Sequence, residues 1–232
     1  MNTDSYNAAK KSAPPNGQDK PRILWGLVVL ALMYFVAEHL ALSLSYLPFL
    51  QIAGTHWNWS GKAISIVFSG LLLVCSPWLR QNVGLRWGQA PGSLHWSLII
   101  FFSFLGAGAV GGFIDQPLPF SLDTLFYQAT MPSIEEELAY RGIMLALLER
   151  AFRQSPMSCR WRFGWAALST SLLFWHGVTI EHGHLIIPFS RVDTVVTGGA
   201  FALVRTRSGS LLWPMLCHSA INVASAAMAM MR

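Results

Sequence analysis

The stretch SIEEELAYRGIMLALL, residues 133–148, sets three adjacent glutamates and an arginine at the head of an apolar run. In a water-soluble domain such a run is a buried helix with a solvated first turn. In a bilayer it is a spanning helix that carries ionisable groups into lipid, where they are costly and face a cavity, a partner or a substrate. The rest of the chain decides between the two.

Composition favours lipid. Of 232 residues, 53% are hydrophobic and only 12% charged, against about 25% charged in an ordinary globular domain. Apolar stretches cover residues 23–46, 63–78, 95–114, 132–148, 163–180, about 185–204 and 211–231. Several reach the ~20 residues needed to cross a hydrocarbon core about 30 Å thick. The expected fold is an all-α polytopic membrane bundle of about seven transmembrane segments. Residues 1–22 read as a disordered cytoplasmic tail, and residues 23–232 as the membrane domain. The sixth segment is broken by Pro188, Arg191 and Asp193, so a re-entrant sixth segment is the alternative; it would put Arg205 and Arg207 outside.

With the N-terminus inside, twelve lysines and arginines fall in inner loops and three, Lys62, Arg191 and Arg232, fall outside. That asymmetry is the positive-inside pattern. The net charge of +5 therefore reads as topology, and no nucleic-acid partner is expected. The first apolar run is too long for a secretory signal and lacks a cleavage motif, so it reads as a retained anchor. The expected location is a multi-pass place in a bacterial inner membrane. Cys75, Cys159 and Cys217 have no metal-site or disulfide spacing.

Polar groups inside apolar segments are the site candidates. Glu137 and Arg141 are spaced i and i+4, a favourable orientation for an acid followed by a base. Glu136 lies about 100° around the helix from Glu137 and must face something else. Pro132 and Ser133 read as a helix start, with Ser133 and Glu136 matching the S-x-x-E capping box, so a capped acidic first turn is the plainer alternative. Glu135 reads as a flanking surface charge. His176 lies near the end of the fifth segment, where a hydrogen-bonded interfacial role is the alternative. The EHGH stretch, Glu181 to His184, reads as a polar external loop. His218 and Asn222 share one helical face, where mutual or interhelical hydrogen bonding is the alternative. Glu38 and His39 sit in the first segment with no assigned role.

Glu136-Glu137-x-x-x-Arg141, then His176, then His218-x-x-x-Asn222 within GSLLWPMLCH resemble the motif series of the CAAX prenyl endopeptidase and bacteriocin-processing (Abi) family of intramembrane proteases. The resemblance covers about residues 89–223. One departure is Leu172, which stands where the family's F-x-x-x-H motif has phenylalanine, with Phe174 two residues before His176 instead. The resemblance implies an endopeptidase that hydrolyses a peptide bond near a membrane-embedded or lipidated segment. Glu136 and His176 would hold and deprotonate the attacking water, His218 and Asn222 would stabilise the oxyanion, and Glu137 and Arg141 would orient the site. No cofactor is favoured; the alternative is zinc or another divalent metal on Glu136, His176 and His218. The expected partners are lipid and a peptide or protein substrate with a hydrophobic, lipidated or sorting-signal segment. A catalytically silent maturation or immunity partner and a proton-coupled transporter are the competing functions. Depth raises a conflict. Counted from Pro132, Ile180 and Leu211 on straight helices, Glu136 and His176 each lie about 6 Å from the outer face and His218 about 20 Å from it.

Overall fold

A computed structural model describes residues 19–152, 164–175, 179–181, 184–186 and 192–232. Most of the expected tail, residues 1–18, lies outside the described residues. The first helix, α1 (Asp19–Ser43), continues through short 3₁₀ turns at Leu44–Tyr46 and Pro48–Leu50. It is followed by α2 (Trp59–Cys75), α3 (Pro77–Asn82) and α4 (Leu94–Ile114). The motif helix begins as α5 (Leu122–Glu136), widens into π-helical turns over Glu137–Met144 and narrows again as α6 (Leu145–Phe152). Then come α7 (Trp165–Phe174), strands β1 (Thr179–Glu181) and β2 (His184–Ile186), α8 (Val192–Ser208) and α9 (Leu212–Met230). The all-α expectation therefore needs one amendment. Part of the loop expected around EHGH is a short antiparallel hairpin, in which Glu181 pairs with His184.

Two stretches, Ile23–Tyr46 and Leu94–Ile114, are long and apolar enough to cross a bilayer, each with mean hydropathy 2.0. The faces of α1 and α4 expose Trp25, Met33, Leu40, Phe102, Val110 and Phe113, and large exposed apolar faces mark contact with a membrane or a partner. Three of the other expected spans are shorter as helices: α2 and α8 have 17 residues and α7 has 10.

Side-chain and backbone bonds fix the relative directions of the helices. Tyr34 meets Ser69 at 2.7 Å and Ser65 meets Glu38 at 3.4 Å, so α1 and α2 run antiparallel. Leu118 N–H donates to the Ala229 carbonyl at 2.9 Å, and Ser219 Oγ donates to the Ala129 carbonyl at 2.8 Å. Thus α5 and α9 are also antiparallel. By contrast α4 runs parallel to α9, packed so closely that a Cβ at Gly108 would collide with the Ile221 carbonyl and one at Gly112 with the Ser225 carbonyl. Small residues spaced four apart allow this kind of approach between membrane helices.

One end of the bundle collects arginines. Arg86 donates to the Gly209 carbonyl at 2.7 Å and Arg205 to the Asn82 carbonyl at 2.9 Å. Arg150 lies over the Trp78 ring and Arg207 over Trp96. Gly84, with φ +78°, makes room for the Arg205 guanidinium where a side chain would stand. The opposite end carries Asp115 and Arg232, joined by a 2.9 Å bond to the Asp115 carbonyl. The C-terminal end of α8 therefore lies among the arginines. That is not where a re-entrant sixth segment, with Arg205 and Arg207 on the outer side, would leave it.

The motif helix is the core of this arrangement. Every residue from Glu137 to Leu148 is buried, and Tyr140, Ile143, Met144 and Leu147 pack with Ala31, Tyr34, Val83, Phe174 and Leu211. Ser133 is not a helix cap. The helix starts at Leu122, capped by Ser121 Oγ accepting from Thr124 N–H at 3.2 Å. Pro132 stands inside the helix, where it removes a backbone donor and frees the carbonyl one turn earlier. Ser133 Oγ turns back onto the Thr130 carbonyl at 3.0 Å, and Ser219 Oγ reaches across from α9 to Ser133 Oγ at 2.8 Å. The proline-loosened turn is thus where α9 docks, just ahead of Glu136.

Candidate active site

The earlier helix start removes the depth conflict between Glu136 and His218; His176, the third residue in it, lies outside the described residues. Glu136 lies fourteen residues past Leu122, about 21 Å along the axis, and His218 lies twelve residues before Met230, about 18 Å along the antiparallel α9. The two therefore meet near mid-bundle. His218 Nε2 is 3.9 Å from Glu136 Oε2, and His218 Nδ1 is 2.9 Å from Glu137 Oε1. A carboxylate only accepts, so Nδ1 carries the proton of that bond and Nε2 is turned to the cavity side. Phe201 stacks on the imidazole with ring centroids 5.1 Å apart, and Phe174 meets it edge-on at 6.1 Å. One carboxylate and two aromatic rings therefore hold the ring in a single orientation.

Glu137 also takes the expected bond from Arg141, with Nη1 to Oε1 at 3.3 Å. The pairing survives although the backbone there is π-helical, because residues four apart still lie close to one face of the wider turn. Arg141 is wholly buried. Its guanidinium lies 3.9 Å from the centroid of Phe174, so cation–π attraction supplements the single ion pair. Gly198 on α8 makes this possible: a Cβ there would stand 2.8 Å from Arg141 Nη2 and 3.2 Å from Phe174 Cδ1.

Glu136, His218 and Asn222 line one cavity of about 270 Å³, with Phe174, Thr197 and Phe201. Of the residues expected to be catalytic, these three are brought together, with Glu137 and Arg141 directly behind His218. His176 lies outside the described residues, and so does the part of the fifth segment that carries it; α7 ends at Phe174. The Leu172 departure has a structural counterpart. Leu172 is exposed, whereas Phe174 is buried against Arg141 and His218. The aromatic ring beside Arg141 and His218 is thus supplied by Phe174, two residues before His176.

Sequence reasoning misplaced two charges. Glu135 is not a surface charge but 1% exposed, and Lys62, expected outside, is buried beside it. Lys62 Nζ lies 2.5 Å from Glu135 Oε2 and 2.7 Å from Glu136 Oε1. Ser65 Oγ donates to Glu135 Oε1 at 2.7 Å and reaches Glu38 Oε1 at 3.4 Å. Glu38, buried, also contacts His39 Nδ1 at 2.6 Å. The available signal was the lysine itself, one residue before the apolar run that starts at Ala63.

Among the described residues no three His, Cys, Asp or Glu side chains converge as a metal set. Glu136 and His218 face each other, and His176, the third residue of the zinc alternative, lies outside the described residues.

Residues 119–224 match the family model described as Type II CAAX prenyl endopeptidase Rce1-like. No curated protein and no solved structure matches the chain. The matched segment begins later than the stretch from Gln89 over which the motifs resemble that family, but it contains Glu136, Glu137, Arg141, His176, His218 and Asn222. The match and the motifs agree: the segment bearing the site is similar to the Rce1-like type II CAAX prenyl endopeptidases.

Proposed function

We propose that the chain is an intramembrane endopeptidase that cleaves a peptide bond with a glutamate-activated water. The observation that carries this reading is the single cavity lined by Glu136, His218 and Asn222. Glu136 accepts a proton from water, the resulting hydroxide attacks the peptide carbonyl carbon, and the C–N bond breaks as that proton passes to the leaving nitrogen. Asn222 Nδ2–H and His218 stabilise the oxyanion from the cavity wall, while His218 Nδ1–H stays on Glu137. Donors placed before charge develops lose nothing to reorganisation in a site with little water. The substrate carries a hydrophobic, lipidated or sorting-signal segment, and the enzyme sits as a multi-pass protein in a bacterial inner membrane with the arginine-rich end in the cytoplasm. The Phe174 packing speaks against the silent-partner reading, because it restores the aromatic support that Leu172 lacks.

His218→Ala and Asn222→Ala are each expected to slow processing by about 100- to 1,000-fold while the chain still inserts. Processing is read by mass spectrometry, as membrane-protein termini that appear only in cells with the active chain. A divalent-metal chelator should leave the rate unchanged. Normal termini in both variants would sink the reading; inhibition by chelator alone would replace it with the metal-dependent one. The seven-span topology has its own check. A reporter fused after Arg232 should signal from the non-cytoplasmic side, and a cytoplasmic signal would rule that topology out.

A further inference from the structure

Lys62 lies on α2, well outside the segment 119–224 that matches the protease family, yet it touches the proposed base. Its ammonium bridges Glu135 Oε2 at 2.5 Å and Glu136 Oε1 at 2.7 Å. Glu136 Oε2, by contrast, is the oxygen on the side of His218, 3.9 Å from Nε2. Among the described residues, Arg141 serves Glu137, and Lys62 serves both Glu135 and Glu136.

The placement of Lys62 is fixed by several independent contacts. Asn58 Oδ1 accepts from Gly61 N–H at 2.9 Å and so caps the first turn of α2. Trp59 Nε1 donates to Asp123 Oδ1 at 2.9 Å and Trp57 Nε1 to Thr124 Oγ1 at 3.0 Å. These bonds tie α2 to the start of α5. Gly61 lets the end of α1 come close: a Cβ there would overlap the Asn58 side chain and stand 2.5 Å from the Leu42 carbonyl oxygen. One turn on from Lys62, Ser65 holds the other oxygen of Glu135 at 2.7 Å.

We infer that Lys62 is a positioning residue of the hydrolytic reaction: its ammonium clamps one oxygen of Glu136, fixes which oxygen faces the water and His218, and makes α2 an obligatory part of the site. The inference rests on the reading of Glu136 as the base. A base displaced by about 1 Å can lose on the order of 100-fold in rate, and a methionine at position 62 would remove the hold on Oε1. The same ammonium also neutralises Glu135, so loss of the lysine strands a buried charge and weakens the fold.

A set of variants separates the two effects, with the precursor that accumulates in Glu136→Gln cells as the readout. Lys62→Met should accumulate that precursor, with processing down by on the order of 100-fold. Lys62→Arg, which keeps the charge, should restore most of it. The double variant Lys62→Met with Glu135→Gln removes the stranded charge along with the lysine. It should melt near wild type in detergent yet process as poorly as Lys62→Met. Wild-type processing in the double variant would show that Lys62 is only a counter-charge to Glu135 and would overturn the inference, as would a folded Lys62→Arg as inactive as the methionine variant. If Glu136→Gln itself accumulates nothing, the reading of Glu136 has failed, and the Lys62 inference fails with it for that separate reason.

Discussion

Glu136→Gln is expected to abolish detectable processing while the protein remains inserted and folded. A positioned base is worth about 100- to 10,000-fold in rate, and the amide cannot take a proton from water at neutral pH. The fold has little reason to change. A glutamine carbonyl can still accept the 2.7 Å bond from Lys62, and the side chain keeps its length and its place on the cavity wall. The Lys62 ammonium also retains Glu135 as a partner at 2.5 Å, so no buried cation is stranded. The measurement pairs a melting curve in detergent with a mass-spectrometric comparison of membrane-protein termini in cells carrying the wild type and the variant. The precursor that accumulates also identifies the substrate. A folded Glu136→Gln protein that processes normally would refute the assignment of Glu136 as the base.

Apolar runs were enough to find most of the helices, because an apolar stretch is a property of the chain read along its length. They could not set helix ends within the polar parts. Pro132 and Ser133 have the chemistry of a helix start, but the start lies at Leu122, and the proline serves as a loosened turn where Ser219 docks. That one misreading created the whole depth conflict between Glu136 and His218. The site residues Glu136, Glu137, Arg141, His218 and Asn222 were legible because ionisable and amide groups are conspicuous against an apolar background. Lys62 and Glu135 were not, because a charge near the end of a segment looks the same whether it snorkels to water or turns inward to a partner 73 residues away. Nor could Gly198 be singled out: its role is the space it leaves for Arg141 and Phe174, and a vacancy has no signature in one sequence. Phe174 was noticed only as an offset from the family pattern. Its contact with Arg141 gives that position a packing role in this chain.

Arg141→Met should cost the most stability of any single change in the site, about 3–5 kcal/mol, the usual consequence of removing one member of a buried ion pair. The guanidinium is wholly buried, so no water can replace it at Glu137. Glu137 would keep only its 2.9 Å bond to His218. The loss extends beyond the pair, since the cation also faces Phe174 at 3.9 Å and the ring would lose that attraction. Lysine is not a substitute: its compact ammonium cannot lie flat on the ring while reaching the carboxylate as a planar guanidinium does, so Arg141→Lys should recover only part of the loss. Adding Glu137→Gln to Arg141→Met removes the stranded carboxylate and should restore most of the stability, because the glutamine carbonyl still accepts from His218 Nδ1. The measurement is the shift in unfolding midpoint in detergent for the single, lysine and double variants, compared with the fraction inserted in membranes. If Arg141→Met lies within about 1 kcal/mol of wild type, the size expected of a surface pair, then Glu137 is not held by this buried pair. The orientation of His218 would then have to come from the aromatic clamp of Phe174 and Phe201 alone.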